Sequence, residues 1–106
     1  TCVHNPEDHF LAAISGCHML SYLALCARRG VNVITYEDNA RGTLRLSGGS
    51  GAFEQVTLNP AVSIDAGSDA ALAMRLHDEA AECCFIANSC SVRIEHRPAV
   101  QVVSRV

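Results

Sequence analysis

The longest apolar pattern in the chain lies near its beginning. No Asp, Glu, Lys or Arg occurs between Phe10 and Cys26. The apolar residues of this run fall on every side of a helical wheel, so the pattern predicts a long central helix that is buried all round. They are Leu11, Ala13, Ile14, Met19, Leu20, Leu23 and Leu25.

Both ends of this helix carry sequence signals. Asn5 can cap it, and Pro6 suits the first helical position because its missing N–H would have no partner there. At the other end two arginines suit the last turn, and Gly30 can take the left-handed conformation that stops a helix. A membrane span is the rival interpretation, but the uncharged run is shorter than the roughly 20 residues that a bilayer requires.

Period-two alternation of apolar and polar residues follows the helix. It runs from Ile34 to Leu46 and predicts one long, half-buried strand. Beyond the Ser-Gly-Gly-Ser-Gly stretch at 47–51, alternation resumes from Gln55 to Ile64, so the two runs predict an antiparallel hairpin with one apolar face for the central helix. Pro60 predicts a free edge or a bulge in the second strand.

The last third of the chain predicts a second helix and closing strands. Ser68 or Asp69 can cap an amphipathic helix that runs toward Cys83 and Cys84. Its outer side carries Arg75, Asp78, Glu79 and Glu82. A turn or short helix over 84–89 and one or two strands over Val92 to Val103 complete a single α+β domain, residues 1–106, with two helices on an antiparallel sheet.

Composition narrows the possible functions. The 49% of hydrophobic residues excludes a disordered chain. All eight basic residues are arginine, eleven acidic residues outnumber them, and the net charge is -3. This balance argues against nucleic acid or an anionic membrane as partner and favours a small neutral or apolar substrate.

The six cysteines make a poor disulfide framework. Cys83 and Cys84 are adjacent, while Cys17 and Cys26 lie in one helix, nine residues and about 180° apart. A reducing, cytoplasmic location with one or two working thiols fits better. No Cys-x-x-Cys or His-x-x-x-His pair occurs, so we expect no metal and no other cofactor.

Two motifs carry a resemblance to a known family. Asn-Pro-Glu at 5–7 is followed ten residues after the Glu by Cys17, and His-x-Glu-Ala-x-Glu-x-Cys-Phe-Ile-Ala-Asn-Ser occupies 77–89. With the hairpin between them, these motifs resemble the OsmC and organic hydroperoxide resistance family over nearly the whole chain. The resemblance implies an OsmC-like fold, an intertwined homodimer and a thiol-dependent peroxidase for oxidative stress defence.

The resemblance also implies roles for particular residues. Cys17 falls on the peroxidatic thiol, Cys84 on the resolving thiol, and Glu7 on the residue that holds a catalytic arginine. The implied substrate is an organic hydroperoxide and the implied reductant a dithiol or lipoyl-type thiol. The sequence departs from the family pattern in three ways. We expect the strands that precede Asn-Pro-Glu in the family, and bring the arginine, to be missing from this sequence, and Phe85 and Ala81 stand where Pro and His are usual.

The residues themselves leave alternatives open. A thiol attacks peroxide only as thiolate, and Cys17 lies too far into its helix for the dipole to help, so it needs a cation. No Arg or Lys lies within one turn; His18 and His9 are candidates, although a histidine in an apolar helix is more often a core residue. Cys84, or failing it Cys83, would resolve a sulfenic acid. The other cysteines suit buried structural positions: Cys2, Cys26 and Cys90.

An alternative function is an OsmC-fold protein that binds a small apolar ligand without peroxidase activity, and a purely structural subunit is a third. A helix that is apolar all round needs more cover than this chain provides, which favours a homodimer. Glu7 lies about 15 Å from Cys17 along a straight helix, so it would serve the partner's site unless the helix bends. Otherwise Glu7 is simply a first-turn acid.

Overall fold

The computed structural model describes residues 6–47, 50–84 and 92–103, with side chains described for 9–43, 54–84 and 92–103. Two helices and six strands lie in these ranges. They are α1 Pro6–Arg29, β1 Val33–Asp38, β2 Arg41–Ser47, β3 Ser50–Leu58, β4 Pro60–Asp65, α2 Ala70–Cys83, β5 Arg93–His96 and β6 Ala99–Val103. The turn or short helix expected over 84–89 lies outside the described residues, apart from Cys84.

The strands form two three-stranded sheets, ordered β1-β4-β6 and β2-β3-β5. The predicted hairpin is present, because β1 pairs with β4 and β2 with β3, both antiparallel. The closing strands β5 and β6 then add in parallel to β3 and β4. The sheets are therefore mixed, and the prediction of an antiparallel sheet was wrong for these last two pairings.

Each long strand of the hairpin is divided where the chain passes from one sheet to the other. The single strand predicted from Ile34 to Leu46 is in fact β1 and β2, separated at Asn39 and Ala40. Hydrogen bonds between side chain and backbone hold this crossing: Asn59 N–H donates to Asp38 Oδ1 at 2.8 Å, and Asn59 Nδ2 donates to Asn39 O at 2.8 Å. Pro60 accordingly begins β4, where a residue without an N–H is tolerated.

The bounds of α1 match the sequence signals, although Asn5 lies outside the described residues. The helix begins at Pro6 and ends at Arg29. Gly30 follows with φ 78°, and Val31 N–H then donates to Cys26 O at 2.9 Å, the Schellman ending in which a left-handed residue closes the helix. This ending directs the chain into β1.

The prediction that α1 is buried all round was wrong for the single chain. One stripe of the helix is buried, and its residues are four positions apart: Ile14, His18, Tyr22 and Cys26. The opposite side is open, and Leu20 is 68% exposed. The physical reason is that two thin sheets and α2 cover α1 from one side only. By length and composition residues 9–29 would also suit a membrane span, but the packed stripe is that of a core helix.

The core consists of two clusters that α1 connects. The larger cluster joins the second half of α1 to α2 and to β4, and includes Tyr22, Ile64 and Leu76. The smaller one packs Ile14 of α1 against Val56 and Leu58 of β3, in the other sheet. Of the two predicted caps for α2, Ser68 and Asp69, it is Asp69 that caps the helix. Its Oδ1 accepts from the N–H groups two and three residues on, at 2.9 and 3.2 Å. The predicted outer residues of α2 are exposed.

Candidate active site

The open face of α1 carries a pocket of about 410 Å³ that contains the predicted nucleophile. Cys17 lines it and is itself half-buried. The spacing of three and four residues places the other α1 residues of the wall on the same face of the helix. These are Leu20, Ser21, Ala24, Leu25 and Arg28, and α2 contributes Cys83. A half-buried thiol on a mainly apolar wall is accessible to a small apolar molecule.

The two adjacent cysteines at the end of α2 occupy different environments. Cys83 is the last helical residue, is exposed, and lines the pocket with Cys17. Cys84 follows as the C-cap, with φ -75° and ψ 107°, and is only 1% exposed. The change from helical to extended backbone separates their side chains. The structure therefore brings Cys83 to the wall of the Cys17 pocket and places Cys84 in the interior.

The expected cation for Cys17 is not supplied by the pocket wall. Arg28 is the one cation among the seven lining residues, but it lies eleven residues along α1 from Cys17, a rise of about 16 Å. Its Nε also donates toward Ala24 O at 3.5 Å, which keeps the guanidinium near its own turn. Glu7 lies in the first turn of the same unbroken helix, and its side chain is outside the described set.

The candidate His18 lies in the core and belongs to a buried cluster that the sequence did not indicate. Its Nε2 is 3.0 Å from Nδ1 of His77, and both residues are almost fully buried. The two rings are stacked with centroids 5.3 Å apart. His96 from β5 packs on His18 at 4.8 Å, and Tyr22 stacks on His77 at 3.8 Å. His9, the other candidate, is exposed on α1.

The histidine cluster is held in its neutral form. Burial, and then the neighbouring His96, lower the pKa of His18 to about 4. Burial, followed by His18 and His96, lowers the pKa of His77 to about 3. Burial also lowers the pKa of His96, although Asp38 and Asp78 oppose the effect. Neutral imidazoles in the core cannot act as the cation that activates Cys17, so His18 is a core residue.

A metal does not fit the arrangement of these rings. The facing nitrogens of His18 and His77 are joined by a hydrogen bond, in which one donates its N–H and the other accepts, so neither is directed at a metal in a common third position. Among the described residues no group of three or more His, Cys, Asp or Glu side chains has the arrangement of a metal site. Asp38, whose charge acts on His18 and His96, instead accepts a short hydrogen bond from Ser15 of α1.

One signal in the sequence could have located His77. The buried residues of α2 follow each other at intervals of three, one and three positions: Ala73, Leu76, His77 and Ala80. This spacing places His77 on the buried side of the helix. A histidine at a core position requires a polar partner, and His18 occupies the corresponding stripe of α1. No local pattern could have added His96, because β5 reaches the cluster only through its parallel pairing with β3.

The OsmC-like protein family matches residues 4–97 of this chain. The matched residues include both helices, the divided hairpin and the thiol pocket on α1, which is nearly all of the fold described above. The chain therefore belongs to the OsmC-like protein family. No functionally curated protein is similar enough to the chain to match it.

Solved structures agree with this assignment. The chain is 35% identical to an OsmC-like protein of unknown function from Vibrio cholerae, with a TM-score of 0.76, over 92% of this chain and 63% of that one. It thus spans less than two thirds of that relative. An organic hydroperoxide resistance protein from Legionella pneumophila is 18% identical, with a TM-score of 0.65, over 95% and 72% of the two chains. One from Bacillus subtilis is 17% identical, at 0.64, over 95% and 73%. The last two show the fold alone.

Proposed function

We propose that this protein is a thiol-dependent peroxidase that reduces organic hydroperoxides in defence against oxidative stress. The observation that carries the proposal is the position of Cys17, half-buried on an apolar pocket wall that a second thiol, Cys83, also lines. Membership of the OsmC-like family, whose structural neighbours include organic hydroperoxide resistance proteins, supports a redox or peroxidase role.

The proposed reaction has two thiol steps. The thiolate of Cys17 attacks one oxygen of the hydroperoxide, the O–O bond breaks, and the alkoxide leaves as the alcohol after taking a proton. Cys17 is left as a sulfenic acid. The thiol of Cys84 attacks this sulfur, water leaves, and a Cys17–Cys84 disulfide forms. A dithiol or lipoyl-type reductant then restores both thiols by exchange.

Glu7 and an arginine complete the proposed site. Because Arg28 is remote and the cluster histidines are neutral, the cation that stabilises the Cys17 thiolate comes from outside the pocket wall. We assign it to an arginine held by Glu7, as the family resemblance implies. Since α1 is unbroken, Glu7 serves the Cys17 of a second copy, which makes the active form a homodimer.

The geometry of α1 supports the dimer independently. The molecule measures 56 × 32 × 17 Å, and its radius of gyration of 15.4 Å exceeds the roughly 13 Å of a compact chain of this length. So thin a molecule leaves one side of α1 uncovered, with Leu20 mostly exposed. A second copy that packs on this side would remove apolar surface from water and enclose the Cys17 pocket.

The described cysteines are thiols, which fits a reducing cytoplasm.

The test of the proposed function is turnover of cumene hydroperoxide by the Cys17→Ser protein. We expect loss of all activity and of sulfenic acid trapping by a dimedone probe after peroxide treatment. Cys26→Ala is the matched control, since Cys26 lies in the same helix on the buried side. Normal turnover in the Cys17→Ser protein would refute the proposal.

The second candidate function is storage or transport of a small apolar ligand in the same pocket. Its largely apolar lining and its volume of about 410 Å³ favour this alternative. Native mass spectrometry of the purified protein distinguishes the two. A co-purified ligand together with an absence of peroxide consumption would establish binding, whereas peroxide consumption that depends on Cys17 would establish the peroxidase.

A further inference from the structure

The two adjacent cysteines at the end of α2 differ in exposure, and this difference affects how a reductant can reach a disulfide at this site. A disulfide between Cys17 and Cys84 has one sulfur on a residue that is 1% exposed and the other on a half-buried residue. The rate of thiol exchange depends on access to the sulfur that is attacked. A bulky dithiol reductant would therefore reach this bond poorly from either side.

Cys83 has the access that the other two thiols lack. It is exposed, and it lines the same pocket as Cys17. As the last residue of α2 it is also the chain neighbour of Cys84, so only one peptide unit links it to the residue that holds the buried sulfur of the Cys17–Cys84 bond. Attack by a thiol within the same molecule also avoids the entropic cost of bringing an external reductant into the pocket.

Resting on the proposed function, we propose that Cys83 takes over the Cys17 disulfide from the buried Cys84 and presents it to the external dithiol at the surface. The Cys83 thiolate attacks the Cys17 sulfur, the Cys17–Cys84 bond breaks, and Cys84 takes up a proton. This step is an exchange, so nothing is oxidised or reduced overall.

The reductant then acts on an exposed sulfur. One thiolate of the dithiol attacks Cys83, the Cys17–Cys83 bond breaks, and Cys17 leaves as thiolate. The second thiol of the reductant attacks the mixed disulfide, oxidising the reductant to its own disulfide and releasing Cys83. Cys17 is a suitable leaving group because the cation that we propose to stabilise its thiolate for peroxide attack also stabilises the departing thiolate.

Peptide mapping after rapid alkylation follows the relay in time. One equivalent of cumene hydroperoxide should produce the Cys17–Cys84 disulfide first and the Cys17–Cys83 disulfide afterwards. The Cys83→Ser protein should still form the Cys17–Cys84 bond but lose at least tenfold in kcat/KM for dihydrolipoamide. Arg75→Gln, an exposed change on the same helix, is the matched control and should keep the native value.

A second reductant separates the relay from a structural effect. Tris(2-carboxyethyl)phosphine attacks a disulfide without a dithiol partner, so it should reduce the oxidised native and Cys83→Ser proteins at rates within about threefold of each other. Native kcat/KM for dihydrolipoamide in the Cys83→Ser protein would overturn the relay. So would failure of that protein to form any disulfide, because Cys83 would then be the direct partner of Cys17. If the native protein consumes no hydroperoxide, the proposed function itself fails.

Discussion

Nε2 of His18 and Nδ1 of His77 meet at 3.0 Å inside the core. Each ring has a second buried nitrogen without a hydrogen-bond partner among the described residues, Nδ1 of His18 and Nε2 of His77. Both imidazoles are neutral, and a single proton lies between the two facing nitrogens, so one ring donates the hydrogen bond and the other accepts it. The pair joins α1 to α2 by a polar contact whose strength depends on its remaining uncharged.

Stability should therefore fall on acidification. In the unfolded chain both histidines bind a proton near pH 6.5, but in the folded protein their pKa values are lowered to about 4 and about 3. Between pH 6.5 and 4 the unfolded state binds more protons, so the free energy of unfolding decreases as pH falls, by about 1.4 kcal/mol per pH unit for each histidine. Urea unfolding at pH 7.5 and pH 5 measures the difference.

The control for this pH dependence is His9→Gln, which changes an exposed histidine of the same helix and should keep the slope. His77→Phe should reduce the slope, because one of the two titrating groups is removed while an aromatic ring still faces Tyr22. Equal unfolding midpoints for the native protein at the two pH values would show that the histidines are not buried as a neutral pair.

Tyr22 and Tyr36 should respond in opposite ways to loss of the hydroxyl group. Tyr22 Oη donates to Ala73 O at 2.9 Å between the two helices, so Tyr22→Phe should cost about 1 kcal/mol. The hydroxyl of Tyr36 is buried without a hydrogen-bond partner among the described residues, so Tyr36→Phe should be neutral or stabilising. Chemical unfolding of both variants at pH 7.5 gives the comparison. An equal loss of stability in the two would contradict it.

Gly30 should be required at its position. Its φ of 78° lies in the left-handed region, where a Cβ is strained, so Gly30→Ala should destabilise the protein by about 1 kcal/mol. Gly67→Ala is the matched control, because Gly67 has no positive φ and an added Cβ would meet nothing within 4 Å. Thermal unfolding of the two variants should differ, and a Gly30→Ala protein as stable as Gly67→Ala would show that α1 does not end in a left-handed residue.

The features that the sequence predicted correctly depend on neighbouring residues. Pro6, Gly30 and Asp69 mark helix ends through their own backbone or side-chain chemistry, and all three lie where expected. The division of the hairpin was missed because alternation continues through Asn39, while the bonds that hold the crossing come from Asn59, twenty residues away. The parallel pairing of β5 and β6 was missed for the same reason, since no local pattern distinguishes parallel from antiparallel partners.

The candidate site was predictable to a similar extent. Cys17 followed from its motif, and the structure places it on the wall of a pocket. The different surroundings of Cys83 and Cys84 could not be foreseen, since they depend on where α2 stops: one residue further and Cys84 would be helical. The neutral state of His18 depends first on its burial in the core and then on His96, which another element of the fold supplies.

Leu20 should contribute to the proposed dimer contact. It is 68% exposed on the open face of α1, where a charged side chain would repel an apolar partner surface. Leu20→Glu should raise the dimer dissociation constant at least tenfold in sedimentation velocity. Met74→Glu, at a 42% exposed residue of α2, is the matched control and should leave it within about twofold. Loss of the dimer in the Met74→Glu protein alone would instead locate the contact on α2.

Mixing two inactive proteins tests whether the reactive site is shared between subunits. Cys17→Ser lacks the nucleophile and Glu7→Ala lacks the acid that we assign to the arginine. Along the unbroken α1 these residues are separated by about 15 Å, too far for Glu7 to organise a cation at the Cys17 of its own chain. If Glu7 acts on the partner, a mixed dimer contains one site with intact Glu7 and intact Cys17. About half of the dimers are mixed, and each of these has one of its two sites complete. The mixture should therefore recover up to about a quarter of native turnover per subunit. If Glu7 acts within its own chain, no site in the mixture is complete. Mass spectrometry of the mixture first establishes that subunits have exchanged. An exchanged mixture that remains inactive would rule out the shared site. A monomer in light scattering at micromolar concentration would rule out the dimer as well.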